Sequence, residues 1–316
     1  MKCFVTGAAG FIGSNLVDHL LETGNEVIAF DNLSTGSLKN LNPKCPPHRF
    51  LFVSGNILQP EEMISHMFGC DIVFHLAANA DVRHGPENIG LDLQENTIGT
   101  FSVLESMKEA GVKTIVFAST ASVYGNAQIH PTPEDAPMPI QTSLYGASKL
   151  AGEALIQAFC EAFGFQSYIY RLCGVLGSRY SHGHVIDFYR QLKEHPDYLD
   201  VLGDGRQRKP YIYVNDVARG MLRGLTQTDR VNIFNLGPNW SVPLAESISF
   251  ITQKMKVTPQ INFKGGERGW IGDEPYIHLD NRKLKKCSWE PLMPLKNAID
   301  ITLEYFQENE WILNVR

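Results

Sequence analysis

The chain has 316 residues, 43% of them hydrophobic, and a formal charge of −6. That length buries one large core or two modest ones, and the acidic balance offers no basic field for nucleic acid. No apolar run approaches the ~18 residues of a membrane span, and Met1 leads straight into a strand-like run, so a cytoplasmic protein is expected.

Residues 2–6 form a short apolar run, and Gly7-Ala-Ala-Gly10-Phe-Ile-Gly13 then opens an amphipathic stretch ending near Gly24. A second apolar run, residues 26–30, ends on Asp31. Strand, glycine turn, helix, strand and acid are the context a dinucleotide fingerprint requires. Gly7 permits the tight turn, Gly10 lets backbone amides approach a pyrophosphate, and Gly13 lets the helix pack close to the strand. Asp31, eighteen residues past Gly13, is placed to accept from the adenosine ribose hydroxyls. Its charge repels a 2′-phosphate and no arginine follows it, which favours NAD over NADP.

Alternation of strands and helices continues. Residues 49–55, 71–77, 113–119 and 166–172 read as strands, and residues 60–68, 87–110 and 145–163 as helices. The near-continuous apolar strands argue for a parallel sheet covered on both faces, with ligands at the strands' carboxyl ends. His75, inside a strand, reads as a packed core histidine. Residues 131–139 hold four prolines and two acids and form a loop. Beyond residue 172 the spacing becomes irregular, with strands near 199–202, 211–214 and 231–237. Helices follow at 243–255 and 295–309, and one capped by Asn215-Asp216 runs to about 226. The expected organisation is α/β: a Rossmann-type doubly wound parallel sheet over residues 1–172, to which later segments return. A smaller C-terminal α/β substrate domain takes residues 173–316. Six cysteines lie scattered without paired spacing, so disulfides and a metal site are not expected.

Tyr145 and Lys149 stand one turn apart on the helix at 145–163. A phenol loses its proton near pH ~10, and an adjacent ammonium favours the phenolate, so the pair reads as a tuned acid/base.

Thr6-Gly-Ala-Ala-Gly-Phe-Ile-Gly13, Asp31-Asn-Leu-Ser-Thr-Gly36, His75-Leu-Ala-Ala78, Ser119-Thr-Ala-Ser-Val-Tyr-Gly125 and Tyr145-Gly-Ala-Ser-Lys149 occur in that order, followed by Gly203-Asp-Gly205 and Tyr211-Ile-Tyr-Val214. Together they resemble the NDP-sugar epimerase/dehydratase branch of the extended short-chain dehydrogenase/reductases, and most closely the UDP-glucose 4-epimerases. The resemblance implies bound NAD, a UDP-sugar substrate and C4 epimerisation through a 4-keto intermediate. It implies Tyr145 as base, Lys149 on the nicotinamide ribose and Thr120 on the sugar's reacting oxygen. Gly7, Gly10, Phe11, Ile12 and Gly13 would cradle the pyrophosphate. Asp31, Asn32, Asn56 and Ile57 would meet the adenosine, with Ala77, Ala78, Asn79, Asn96 and Ser119 lining the cleft. Arg83, Arg208, Lys209 and Arg268 are candidates for the substrate, and Lys209 aligns nearer the family's phosphate arginine than Arg208 does. A homodimer through the helices at 87–110 and 145–163 is also implied.

Two departures matter. Ala121-Ser122 stand where 4,6-dehydratases carry an Asp-Glu pair, which removes the acid/base pair that expels the 6-hydroxyl. Gly174 stands where epimerases usually have asparagine, so a roomier pocket is expected, open to an N-acetylated hexose or a uronic acid. Arg83, His84 and Arg179 could meet the carboxylate of such a uronic acid.

Overall fold

The structure, a computed structural model, describes residues 1–82, 87–138, 140–270 and 272–314. Through the first half the elements are β1 (Lys2–Thr6), α1 (Phe11–Glu22), β2 (Glu26–Asp31), β3 (Phe50–Ser54), α2 (Pro60–Met67), β4 (Ile72–His75), α3 (Gly99–Ala110), β5 (Thr114–Thr120), α4 (Leu144–Phe163) and β6 (Gln166–Leu172). Then follow β7 (Gly174–Leu176), α5 (His184–Glu194), β8 (Tyr198–Val201), β9 (Arg208–Lys209), β10 (Tyr211–Tyr213), α6 (Val214–Gly224), β11 (Val231–Leu236), β12 (Val242–Pro243), α7 (Leu244–Met255), β13 (Gln260–Phe263), α8 (Arg282–Lys285) and α9 (Leu295–Glu308).

Seven strands form one sheet in the order β11-β6-β5-β4-β1-β2-β3. Every neighbouring pair runs parallel. Along β1 the side chains alternate between faces, Cys3 and Val5 entering one buried cluster and Phe4 the other. Both faces are therefore covered, which is why these strands read as continuous apolar runs. The order reverses between β1 and β4, and a crevice opens at that point. β11, from far down the chain, pairs with β6 and completes the sheet.

A third cluster holds Val185, Ile186, Leu199, Ile299 and Phe306 together with Phe11 of α1, so the second half of the chain packs against the first turn of the first helix.

Two local expectations differ. Residues 93–98 wind as a π-helix before α3, so the long helix expected from residue 87 is shorter and irregular at its start. Asp216 does not cap α6, whose N-cap is Tyr213. Its carboxylate instead accepts from the Leu292 and Met293 N–H groups and pairs with Arg219, a tertiary use that local sequence does not encode.

Candidate active site

The glycine turn after β1 is built by contact distance. Gly7 has φ +66°, and a Cβ there would lie 2.6 Å from the Ala77 nitrogen after β4. A Cβ at Gly13 would lie 2.0 Å from the Gly7 oxygen. Neither position takes a side chain without moving backbone, so the crevice floor stays open for a ligand. Asp31, 7% exposed, accepts from the Ala9 N–H (2.8 Å) and the Leu33 N–H (2.8 Å). Burial raises its pKa while those two donors lower it. With two acceptor positions used, a carboxylate retains two for ribose hydroxyls.

The cleft is lined by Gly7, Gly10, Phe11, Ile12, Gly13, Asp31, Asn32, Ile57, Ala77 and Ala78, all expected from the sequence. Gly55, at the carboxyl end of β3, lines it as well, and so do Ser34, Thr35, Ala80, Glu95, Ser181 and His182, which were not expected. Ser34 and Thr35 lie inside the quoted Asp31–Gly36 motif, which was a legible signal. Ser181 and His182 come from beyond β6, and nothing local announces them.

Other expected residues are not part of that lining. Asn56 holds its own turn, its Oδ1 accepting from the Leu58 N–H at 3.0 Å. Asn96 is 1% exposed and donates to Ser148 Oγ (2.9 Å) and the Asn79 carbonyl (3.2 Å). Asn79 donates to Asp92 (2.8 Å). Ser119 donates to Glu153.

β5 and α4 supply the reactive groups. Ser143 caps α4, its Oγ accepting from the Gly146 N–H at 3.0 Å, and this fixes the turn that carries Tyr145. Thr120, at the end of β5, has its hydroxyl 3.2 Å from Ser122 Oγ and lies near enough to the Tyr145 phenol to influence its proton. Lys149 is 2% exposed, with Nζ 4.2 Å from the Phe117 ring centre. Burial pushes the Tyr145 phenol up to about 12, opposed by Thr120 and reinforced by Asp92. Burial pushes Lys149 down to about 7, opposed by Glu153. The expectation of a lowered phenol is thus reversed: desolvation outweighs the neighbouring ammonium, which faces an aromatic ring.

Glu153, one turn beyond Lys149 and fully buried, was missed. It receives Ser119 and a two-pronged ion pair from Arg171, with Nη2 to Oε2 at 2.8 Å. Arg171 also donates to the Tyr124 hydroxyl (2.9 Å), which donates to Asn235 of β11 (2.7 Å). A glutamate in phase with Lys149 on an otherwise apolar helix face was the available signal.

His75 is fully buried. Thr6 Oγ1 already accepts from the Leu76 and Ala77 N–H groups, so its proton goes to His75 Nδ1 (2.8 Å). Nε2–H therefore donates to Thr100 Oγ1 at 3.0 Å. Both nitrogens are engaged in a neutral ring, as befits a core histidine.

The candidate substrate cations separate. Lys209 Nζ pairs with buried Asp273 and lies 4.7 Å from the Trp270 ring centre. Arg208 donates to the Ser241 carbonyl at 3.0 Å, and Arg268 is exposed in the segment 265–270. Arg179 pairs with Asp18 at 2.7 Å. Arg83 and His84 lie outside the described residues. Gly174 gives no roomier pocket, because a Cβ there would stand 2.7 Å from the Tyr211 ring, which fills that space.

Fold and cleft define a dinucleotide-binding α/β enzyme. Residues 3–237 match the NAD dependent epimerase/dehydratase family, and the chain belongs to it. Its cofactor is accordingly NAD, which the glycine turn and Asp31 fit. A putative UDP-glucose 4-epimerase of Methanocaldococcus jannaschii is 33% identical, over 96% of this chain and 98% of that one. A UDP-glucose 4-epimerase from Thermotoga maritima, solved with UDP-glucose, is 31% identical with a TM-score of 0.87 over 98% of this chain and all of that one. UDP-glucuronic acid decarboxylase 1 of Arabidopsis thaliana is 29% identical over 99% of this chain and 71% of its own length.

Proposed function

We propose that this enzyme inverts C4 of a UDP-hexose through a transient 4-keto sugar. The observation that carries this reading is the placement of Thr120, at the carboxyl end of β5, beside the Tyr145 phenol at the start of α4, with Lys149 one helical turn further along. Tyr145 accepts the proton of the sugar O4 and returns it after the keto sugar has turned. Thr120 holds that oxygen and shields the charge it develops. Lys149 balances the phenolate. Residues 7–13, Asp31, Asn32 and Ile57 would hold NAD, which supplies a hydride acceptor at C4 and is regenerated when the hydride returns.

Ala121-Ser122 offer no acid/base pair for water loss, which disfavours the dehydratase alternative. A UDP-uronic acid is the second substrate reading, supported by the decarboxylase relative. The pairing of Arg179 with Asp18 weighs against it by occupying one candidate carboxylate partner. Arg268 and Arg208 are the proposed diphosphate contacts, and Lys209 joins them only by leaving Asp273. Segments after residue 172 would form the substrate domain. We also propose a homodimer, supported by the exposure of Ile98 and Phe101 beside α4 (42% and 41%).

The test is incubation of the purified protein with a panel of UDP-hexoses, without added cofactor, read by NMR of the sugars. An equilibrium mixture of C4 epimers is expected, and Tyr145→Phe should be slower by about 10²–10⁴-fold, the usual worth of a general base. Water loss, net oxidation or no change in the wild type would reject the proposal.

A further inference from the structure

The cleft that receives the dinucleotide is poor in basic side chains. Its described lining includes Asp31 and Glu95 but neither lysine nor arginine, and His182 is the one basic side chain in it. A dinucleotide brings a doubly charged diphosphate to the glycine turn, where backbone N–H groups alone would face it. The segment that delivers His182 is firmly held. Gly177 (φ +145°) and Gly183 (φ +111°) bracket it, and Arg179 adopts φ +70°, a left-handed conformation that an arginine keeps only under tertiary constraint.

Three contacts dock this segment on α1, the helix that the glycine turn opens. Asn15 Nδ2 donates to the Ser178 carbonyl at 3.1 Å, and the Arg179 guanidinium pairs with Asp18 at 2.7 Å. The Tyr180 ring meets Phe11 edge-on at 5.4 Å and also contacts Phe306 of α9. Ser181 Oγ lies 3.2 Å from His182 Nδ1, and the His182 ring lies parallel to that of Tyr180. A hydroxyl and an imidazole N–H are both donors suited to a phosphate oxygen, and a charged imidazole strengthens that bond.

We infer that residues 177–183 clamp the bound dinucleotide, with Ser181 and His182 as additional diphosphate-binding side chains and Arg179 as the positioning residue that seats them. The inference rests on the cofactor reading above. It ties cofactor retention to the half of the chain that lies beyond β6.

The test is the dissociation rate of NADH from the loaded protein, followed by fluorescence after mixing with excess NAD. His182→Ala should release it about tenfold faster, the worth of one charge-assisted hydrogen bond. Arg179→Ala should do so by about fivefold, with Arg179→Lys restoring most of the retention. His182→Gln, which keeps a donor, serves if the alanine variant fails to fold. Thermal melting of the dinucleotide-stripped variants should match the wild type, which separates the clamp from a merely structural role. Rates within about twofold of wild type in both alanine variants would overturn the clamp while leaving the cofactor reading intact. Faster release in Arg179→Ala alone would overturn the assignment to His182. A wild type that binds no dinucleotide would overturn clamp and cofactor reading together.

Discussion

Tyr145 and Lys149 lie one turn apart, and burial moves their protons in opposite directions, the phenol up to about 12 and the ammonium down to about 7. A cation one turn away favours the phenolate, whatever burial does to each group alone. On the proposed mechanism Tyr145 must lose its proton before it can accept one from O4. Lys149→Met, which removes the charge that favours the phenolate, should therefore move the acid limb of the kcat profile to higher pH. A limb that stays in place in Lys149→Met, measured as kcat against pH, would remove Lys149 from this role. The nearness of these residues was legible because Tyr-x-x-x-Lys has a helical spacing and the family resemblance puts Thr120 in the same site. Their protonation was not legible, since it depends on Phe117, Asp92 and Glu153 around them.

At the scale of elements, β4 joins sheet to cleft through His75, which is hydrogen-bonded at both nitrogens and pushed down to about 3 by burial and by Lys149. The folded ring stays neutral while the unfolded ring binds a proton below about 6.5, so its contribution to stability is complete above that pH. That contribution is lost as pH falls from about 6.5 toward 3. Urea unfolding between pH 4 and 5 should show His75→Gln with a slope of stability against pH shallower by about 1.4 kcal/mol per unit, one proton's worth. Equal slopes would mean that the histidine is charged in the fold. Continuous apolar runs revealed β1 and β6 nearly to their ends, because both their faces are buried, and a period of 3.6 revealed α4 and α9, each with one buried face. The π-helix at residues 93–98 was illegible, and so were the two-residue strands β9 and β12. Their hydrogen bonds are decided by partners far along the chain, as when Lys209 pairs with Val242.

For the whole molecule, the order of strands sets where chemistry happens. The reversal between β1 and β4 opens the crevice, and β5 and α4 bring Thr120 and Tyr145 toward its far end, where the lining reaches Ala118. The first half of the fold could be read in sequence because each element packs on its neighbour in the chain. The second half could not be read so well, because its contacts skip: β11 returns beside β6, and the segment 177–183 returns to α1. That skipping is also why the pairing of Arg179 with Asp18 could not be read in the sequence.

The central claim is that hydrogen leaves C4 and returns to C4 within one site. The measurement that tests it is turnover of a UDP-hexose deuterated at C4, in ordinary water, with the product read by deuterium NMR. The inverted sugar should keep its deuterium at C4. Deuterium found at C6, or lost to solvent, would contradict it.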